Sequence, residues 1–301
     1  MPWSGPLTAL VAIVVLVALV AVPDVAWAWG PVSHMVHGSS VLANITSLPA
    51  GLQAVLGAHQ DRYLYGCVGA DIIQAKFYAK SIATHCHRWT VAWAFVERAR
   101  TDGQRAFAWG YMTHLAADII SHNHFVPANL LRSFDKRTLG HAYWEARADS
   151  VQRRRHWQLV REVLLSDYGD CDTLVEEIVE NTLFSFKTNK RIFDSLMAVS
   201  KLERWQLLVK NLAGRSRLPL SRHTVDRYNE ACLRCALDLL GQGRNSFTQL
   251  EDPTGKDMLR RAIALRRRLR TLKRERRLQS GAARDMAREL LPHLDELSQA
   301  V

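Results

Sequence analysis

Cysteine, proline and glycine are all scarce in this chain, with 5, 9 and 16 among 301 residues. So few cysteines exclude a small disulfide-stapled scaffold, and so little glycine and proline exclude a collagen-like or low-complexity chain. Hydrophobic residues make up 48% and charged residues 23%. That composition excludes an extended disordered tail and suffices for one large domain or two small ones. Acidic residues are the further shortage: 29 stand against 40 Lys+Arg, for a net charge of +11. The imbalance suits an anionic partner such as nucleic acid, phospholipid or a phosphate ester. Alternating strand-like runs and internal repeats are missing as well.

Charge is also missing from the start of the chain. Leu7 to Val22 is apolar apart from Thr8, Pro23 and Asp24 interrupt it, and Ala26-Trp27-Ala28 has the small-x-small form of a cleavage site. The run is shorter than the roughly 20 residues a membrane helix needs. Residues 1–28 are therefore expected to be a cleaved secretory signal rather than an uncleaved anchor, although Met1 to Pro6 carries no Lys or Arg. Cleavage after Ala28 would leave Trp29 as the N-terminus and send the protein to the periplasm or the medium.

Beyond the leader the apolar spacing is helical. Ala106–Ile120, Ala142–Leu165, Leu174–Phe186, Ile192–Leu212 and Val225–Leu240 show i, i+3, i+4 recurrence, with Gly and Pro gathered between such segments. The expected fold is an all-α multi-helix bundle over residues 29–250, followed by a basic helical extension over 251–301. Within that extension, residues 256–277 carry eleven Lys/Arg against Asp257 and Glu275, with Leu265, Leu269 and Leu272 at helical spacing. This predicts a basic amphipathic helix that packs its leucines on the bundle or attaches to an anionic membrane surface. Cys232-x-x-Cys235 lacks a second CxxC and falls in a helical pattern, so it reads as helix cysteines rather than half a zinc ribbon. Whether Cys67 and Cys86 pair is left open.

Histidine is unevenly placed: nine of the twelve lie between His34 and His141. His114 and Asp118 stand at i, i+4 in an apolar helical segment, so imidazole and carboxylate share one face. Burying either alone is costly, whereas a shared divalent cation satisfies both. His122 and His124 follow, and His141 with Glu145 repeats the i, i+4 pair. Two helices that each present such a pair inward are how bundles build multinuclear metal sites. His156, His223 and His293 lie far along the chain and are expected at the surface. Trp93, Trp109 and Trp144 are expected in the core or a pocket wall.

These residues, in this order, resemble the zinc-dependent phospholipase C family, which is related to single-strand-specific fungal zinc nucleases. The resemblance covers about residues 29–150. It implies an all-helical domain with up to three Zn2+ ions, one of them bound by the α-amino group and carbonyl of Trp29. His34 resembles the next ligand, with His37 a weaker candidate. Asp71 follows in the segment Tyr65-Gly66-Cys67-Val68-Gly69-Ala70-Asp71, although the family often has Pro where Ala70 stands. In His85-Cys86-His87-Arg88-Trp89 the context favours His87, with His85 in reserve. His114 and Asp118 match the His-x3-Asp pair, with Asp118 bridging two metals. Either His122 or His124 comes next, and His141 with Glu145 matches the terminal His-x3-Glu. Asp71 and Asp118 are the candidate catalytic residues, and beside its ligand role Asp71 is expected to act as a proton acceptor.

The implied reaction is hydrolysis of a phospholipid headgroup ester by zinc-activated water, giving diacylglycerol and a phosphorylated headgroup. A zinc nuclease or other phosphodiesterase is the nearest alternative, since the basic 256–277 segment suits nucleic acid too. A metal-stabilised membrane-binding protein without turnover is the third. The His-x-Tyr-Trp-Glu and His-Asn-His-Phe contexts are more phospholipase-like, and no pair of aromatic platforms for splayed bases is evident.

Overall fold

The computed structural model describes residues 29–72, 86–136, 140–179, 190, 218–279 and 281–291. The expected signal, the Ile192–Leu212 segment, His85 and His293 lie outside the described residues. Every element within them is helical, so the chain is all-α. The order is α1 (Pro31–Ala43), α2 (Ala50–Ala58), α3 (Gln60–Ile72), α4 (Trp89–Arg98) and α5 (Asp102–Ile120). A π-helical turn (Ser121–Phe125) leads into α6 (Val126–Arg132). Then come α7 (His141–Ser150), α8 (Arg154–Leu165), α9 (Gly169–Ile178), α10 (Arg222–Gln242), α11 (Lys256–Arg274) and α12 (Ala282–Leu290).

Local chemistry sets several of these boundaries. Pro31 opens α1, where its missing N–H costs nothing. Thr101 and Ser221 accept from the backbone N–H of Gln104 and Thr224 and so cap α5 and α10. Two expectations need correction. The run Ala142–Leu165 is two helices, because its apolar residues serve different cores. Trp144 and Ala148 pack with Trp29, Phe125 and Tyr228, whereas Val160, Val163 and Leu164 join the core around α3 and α5. The chain must turn at residues 151–153 to serve both. His156 is buried, not at the surface, beside the Arg155 guanidinium.

The central crossing is α3 on α5. At Gly66 a Cβ would run into the carbonyl of Phe107 and lie 3.0 Å from Gly110 Cα. At Gly110 it would run into the carbonyl of Tyr63 and lie 3.0 Å from Cys67 N. Only glycine on both helices permits this backbone-to-backbone approach. Asp71 follows Gly66 by five residues and His114 follows Gly110 by four, so the crossing carries both to one end of the helix pair. Asp149 on α7 ties α1 to the bundle by accepting from Val32 N (3.2 Å), Ser33 N (2.9 Å) and Ser33 Oγ (2.7 Å).

α11 is the amphipathic helix expected from the sequence, with Leu259, Ala262, Arg266 and Leu269 buried and Leu265 partly so. It packs on α6 and seats two arginines at that helix's C-terminal end. Arg266 donates to the Lys136 carbonyl (2.5 Å), and Arg270 donates to those of Phe134 (2.6 Å) and Lys136 (2.9 Å).

Candidate metal centre

Three groups of buried ligand-type side chains lie at the ends of these helices: His34–Asp71–His114, His87–His114–Asp118 and His122–His141–Glu145. Within each group, one ligand atom per residue lies within 4.8 Å of the others. The first two share His114 and interlock through Asp118. The third stands by itself on the π turn and α7.

Asp118 is the hub. Its Oδ1 lies 3.3 Å from His34 Nε2, and its Oδ2 lies 3.4 Å from His87 Nε2 and 3.2 Å from His114 Nε2. Asp71 faces the same two outer rings, 3.8 Å from His34 Nε2 and 3.7 Å from His87 Nε2. The His87 and His114 Nε2 atoms are 3.2 Å apart. In the third group His141 Nε2 meets Glu145 Oε1 at 2.6 Å, and the His122 and His141 rings are 5.2 Å apart.

Backbone and thiol partners fix the outer sides of these rings, as metal-ligating histidines require. His114 Nδ1 meets the Cys67 carbonyl at 2.9 Å, His87 Nδ1 meets Cys86 Sγ at 3.1 Å, and His122 Nδ1 meets the Pro253 carbonyl at 2.6 Å. Neither Cys67 nor Cys86 is in a disulfide, and neither are the other three cysteines. The Tyr111 hydroxyl donates to the Cys86 carbonyl (2.5 Å) and steadies the segment that brings in His87.

Electrostatics mark the same residues. Burial pushes the Asp118 carboxyl up, but the neighbouring imidazoles of His114 and His34 outweigh it and hold the group well below the usual carboxylate range. Burial and the proximity of His114 lower His34. His114 is raised, because Asp118 and Asp71 overcome its burial. Both ring nitrogens of His34 and both carboxylate oxygens of Asp118 are buried without a hydrogen-bond partner. Buried polar atoms in that condition are expensive, and imidazole nitrogens with carboxylate oxygens are the donor set of zinc. The residues fit a cation.

Other residues singled out in the sequence are placed as follows. His87 enters a group. Of the pair after Asp118, His122 does and the half-buried His124 does not. His37 enters none; it faces Asn229 Oδ1 at 3.0 Å, and burial lowers its pKa to about 3. Trp29 is fully buried, donates its indole N–H to the Ala117 carbonyl (3.0 Å) and stacks on Phe125. Trp144 is fully buried, and Trp93 and Trp109 line the core.

Sequence reasoning missed the strap over residues 251–255, which reaches the π turn from the far end of the chain. Besides the Pro253–His122 contact, Asn123 Nδ2 donates to the Asp252 carbonyl (3.1 Å). Trp89 Nε1 donates to the Glu251 carbonyl (2.9 Å). Gly255 has φ +52°, and a Cβ there would stand 2.7 Å from the His122 carbonyl carbon and oxygen. Nothing in local spacing links position 255 to position 122.

An all-helical fold with clustered, buried imidazoles and carboxylates defines a helical protein with side-chain groups that could hold metal ions. A model of the zinc-dependent phospholipase C family matches residues 33–200, and the chain belongs to that family. The match begins after Trp29 and runs beyond the 29–150 range of the motif resemblance, to residue 200. Searches of curated proteins and of solved structures return no match.

Proposed function

We propose that this chain is a secreted zinc phosphodiesterase of the phospholipase C type, cleaving a phospholipid headgroup ester. The observation that supports this best is Asp118, a buried carboxylate within 3.4 Å of three imidazoles from three separate parts of the chain. Neither of its oxygens has a hydrogen-bond partner.

His34, Asp71, His87, His114, Asp118, His122, His141 and Glu145 would hold up to three Zn2+ ions, with Trp29 joining through its α-amino group and carbonyl once residues 1–28 are removed. Bound zinc supplies a Lewis acid for the phosphate oxygens and brings the pKa of a bound water to about 7. The chain's own part is to converge the donors, exclude bulk water and manage one proton. Asp118 keeps a full negative charge between His34, His87 and His114. Asp71, shared between His34 and His87, takes the proton of the attacking water. As the new P–O bond forms in line, the bond from phosphorus to the glycerol oxygen breaks, and that oxygen leaves with a proton as diacylglycerol. The burial of Trp29 against Phe125 agrees with a chain start held inside the bundle.

Among the described residues no helix is long and apolar enough to cross a membrane. The test is to purify the chain beginning at Trp29, count zinc per protein, and offer short-chain phosphatidylcholine and single-stranded DNA with and without chelator. Lipid cleavage lost on chelation is the expected result. Cleavage of DNA alone would move the assignment to a nuclease, and metal without turnover would leave a binding protein. A protein extended ahead of Trp29 that keeps all its zinc and activity would remove Trp29 from the ligand set.

A further inference from the structure

We infer that the strap and α11 form a docking surface for an anionic phospholipid bilayer, placed beside the third ligand group. The inference deepens the phospholipid reading above and rests on it, but the binding can be measured without turnover.

One side of α11 is spent on the bundle, where Leu259, Ala262, Arg266 and Leu269 are buried. At 3.6 residues per turn, Lys256, Arg260, Arg261, Arg267, Arg268 and Arg274 fall within an arc of about 140° on the other side. All six are exposed. The acids on that side stand at its ends, where Asp257 engages Arg260 (2.8 Å) and Glu275 engages Arg277 (3.2 Å). Among the described residues no ion pair involves Lys256, Arg261, Arg267, Arg268 or Arg274. With Arg266 and Arg270 bonded to the α6 end, the helix is fixed to the bundle and its cations face outward as a set.

Charge alone would suit any polyanion; the segment before the helix narrows the choice. The described residues hold three exposed large hydrophobic side chains, and two of them, Phe247 (61% exposed) and Leu250 (86%), lie in the turn just ahead of the strap. They are held out by their backbone. Thr248 donates to Asp238 Oδ2 through N (3.2 Å) and Oγ1 (2.8 Å), and Trp93 Nε1 donates to Gln249 Oε1 (2.6 Å). The strap then closes a turn, with Gly255 N donating to the Asp252 carbonyl (3.0 Å), and Leu250 precedes Lys256, the first cation of α11, by only six residues. Exposed leucine and phenylalanine gain nothing from a nucleic-acid backbone but gain from acyl chains, while arginines gain from anionic headgroups. The same strap touches His122 through Pro253 and Gly255, so a bilayer held here lies next to the metal-binding end of the bundle.

The test is co-sedimentation of the zinc-loaded protein with vesicles of phosphatidylcholine alone and of phosphatidylcholine with phosphatidylglycerol. Binding is expected to the anionic vesicles and to weaken as salt rises. The variant Arg261→Glu/Arg267→Glu/Arg268→Glu should lose that binding by about tenfold or more, and Phe247→Ser/Leu250→Ser by roughly tenfold. Both should keep the wild-type zinc content and helical circular dichroism. Wild-type protein that ignores anionic vesicles, or variants that bind them equally well, would overturn the inference. So would a loss confined to single-stranded DNA binding. Anionic vesicle binding without hydrolysis of short-chain phosphatidylcholine leaves the docking surface standing and sinks the phospholipase reading. Hydrolysis without vesicle binding does the reverse.

Discussion

His34 and His114 stack face to face, with ring centroids 3.8 Å apart, planes 12° from parallel and both side chains fully buried. Two such imidazoles cannot both be protonated without strong repulsion, and the structure separates them accordingly: His34 is shifted down and His114 up. Asp118 lies against both. Replacing this one carboxylate should therefore disturb two ligand groups together. Asp118→Asn is expected to lose more than one zinc per chain by elemental analysis and about a hundredfold or more in turnover. Loss of a single zinc would show that Asp118 does not bridge.

Chelation should destabilise the protein well beyond its loss of activity. A cation at a thousand times its Kd contributes about 4 kcal/mol to the folded state, which corresponds to roughly 10 °C in Tm for a domain of this size. Calorimetry with and without chelator measures it, and an unchanged Tm would mean the groups hold no structural ion.

Gly255 supplies a sharper probe of the third group. A methyl at this position meets the His122 backbone at 2.7 Å and strains φ +52°, so Gly255→Ala is expected to displace His122. The protein should lose one zinc of its complement and keep the other groups loaded. His122→Ala should show the same loss, and combining the two should add nothing.

Asp149 gives a pH signature. Burial raises its carboxyl to about 7, against the hydrogen bonds from Ser33 and Val32. The unfolded value is about 3.9. The folded state thus keeps a proton that the unfolded state sheds, and this contribution to stability is lost as pH rises from about 4 to about 7. His37, lowered to about 3 by burial, has the opposite slope below about 6.5, because there the unfolded state gains the proton. The difference between wild type and Asp149→Asn isolates the carboxyl. In urea unfolding of chelated protein, the variant should gain relative to wild type as pH rises through that window. A constant difference would contradict it.

Much of this was legible in the sequence where the signal was local. The i, i+4 pairs His114/Asp118 and His141/Glu145 follow from helix geometry alone, and the all-α class follows from apolar spacing. The choice between His122 and His124 was not legible, because it depends on a π turn that spacing does not announce. The break after Ser150 was hidden because apolar periodicity says nothing about which core a residue will face. Asp149, Asn229 and Gly255 were invisible for a related reason: each acts on a residue more than a hundred positions away. Local pattern reports the face of a helix, and only the packed bundle reports what that face meets.

The π turn Ser121–Phe125 adjoins α5 at the point where the interlocked pair of groups gives way to the separate third group. A π turn holds an extra residue without ending the helix, so it rotates everything downstream while the upstream face stays in place. His114 and Asp118 can thus be held by the glycine crossing while His122 is aimed independently. The turn works as an adjustable joint between two ligand-bearing segments. Lengthening or shortening it would re-aim one group without disturbing the other.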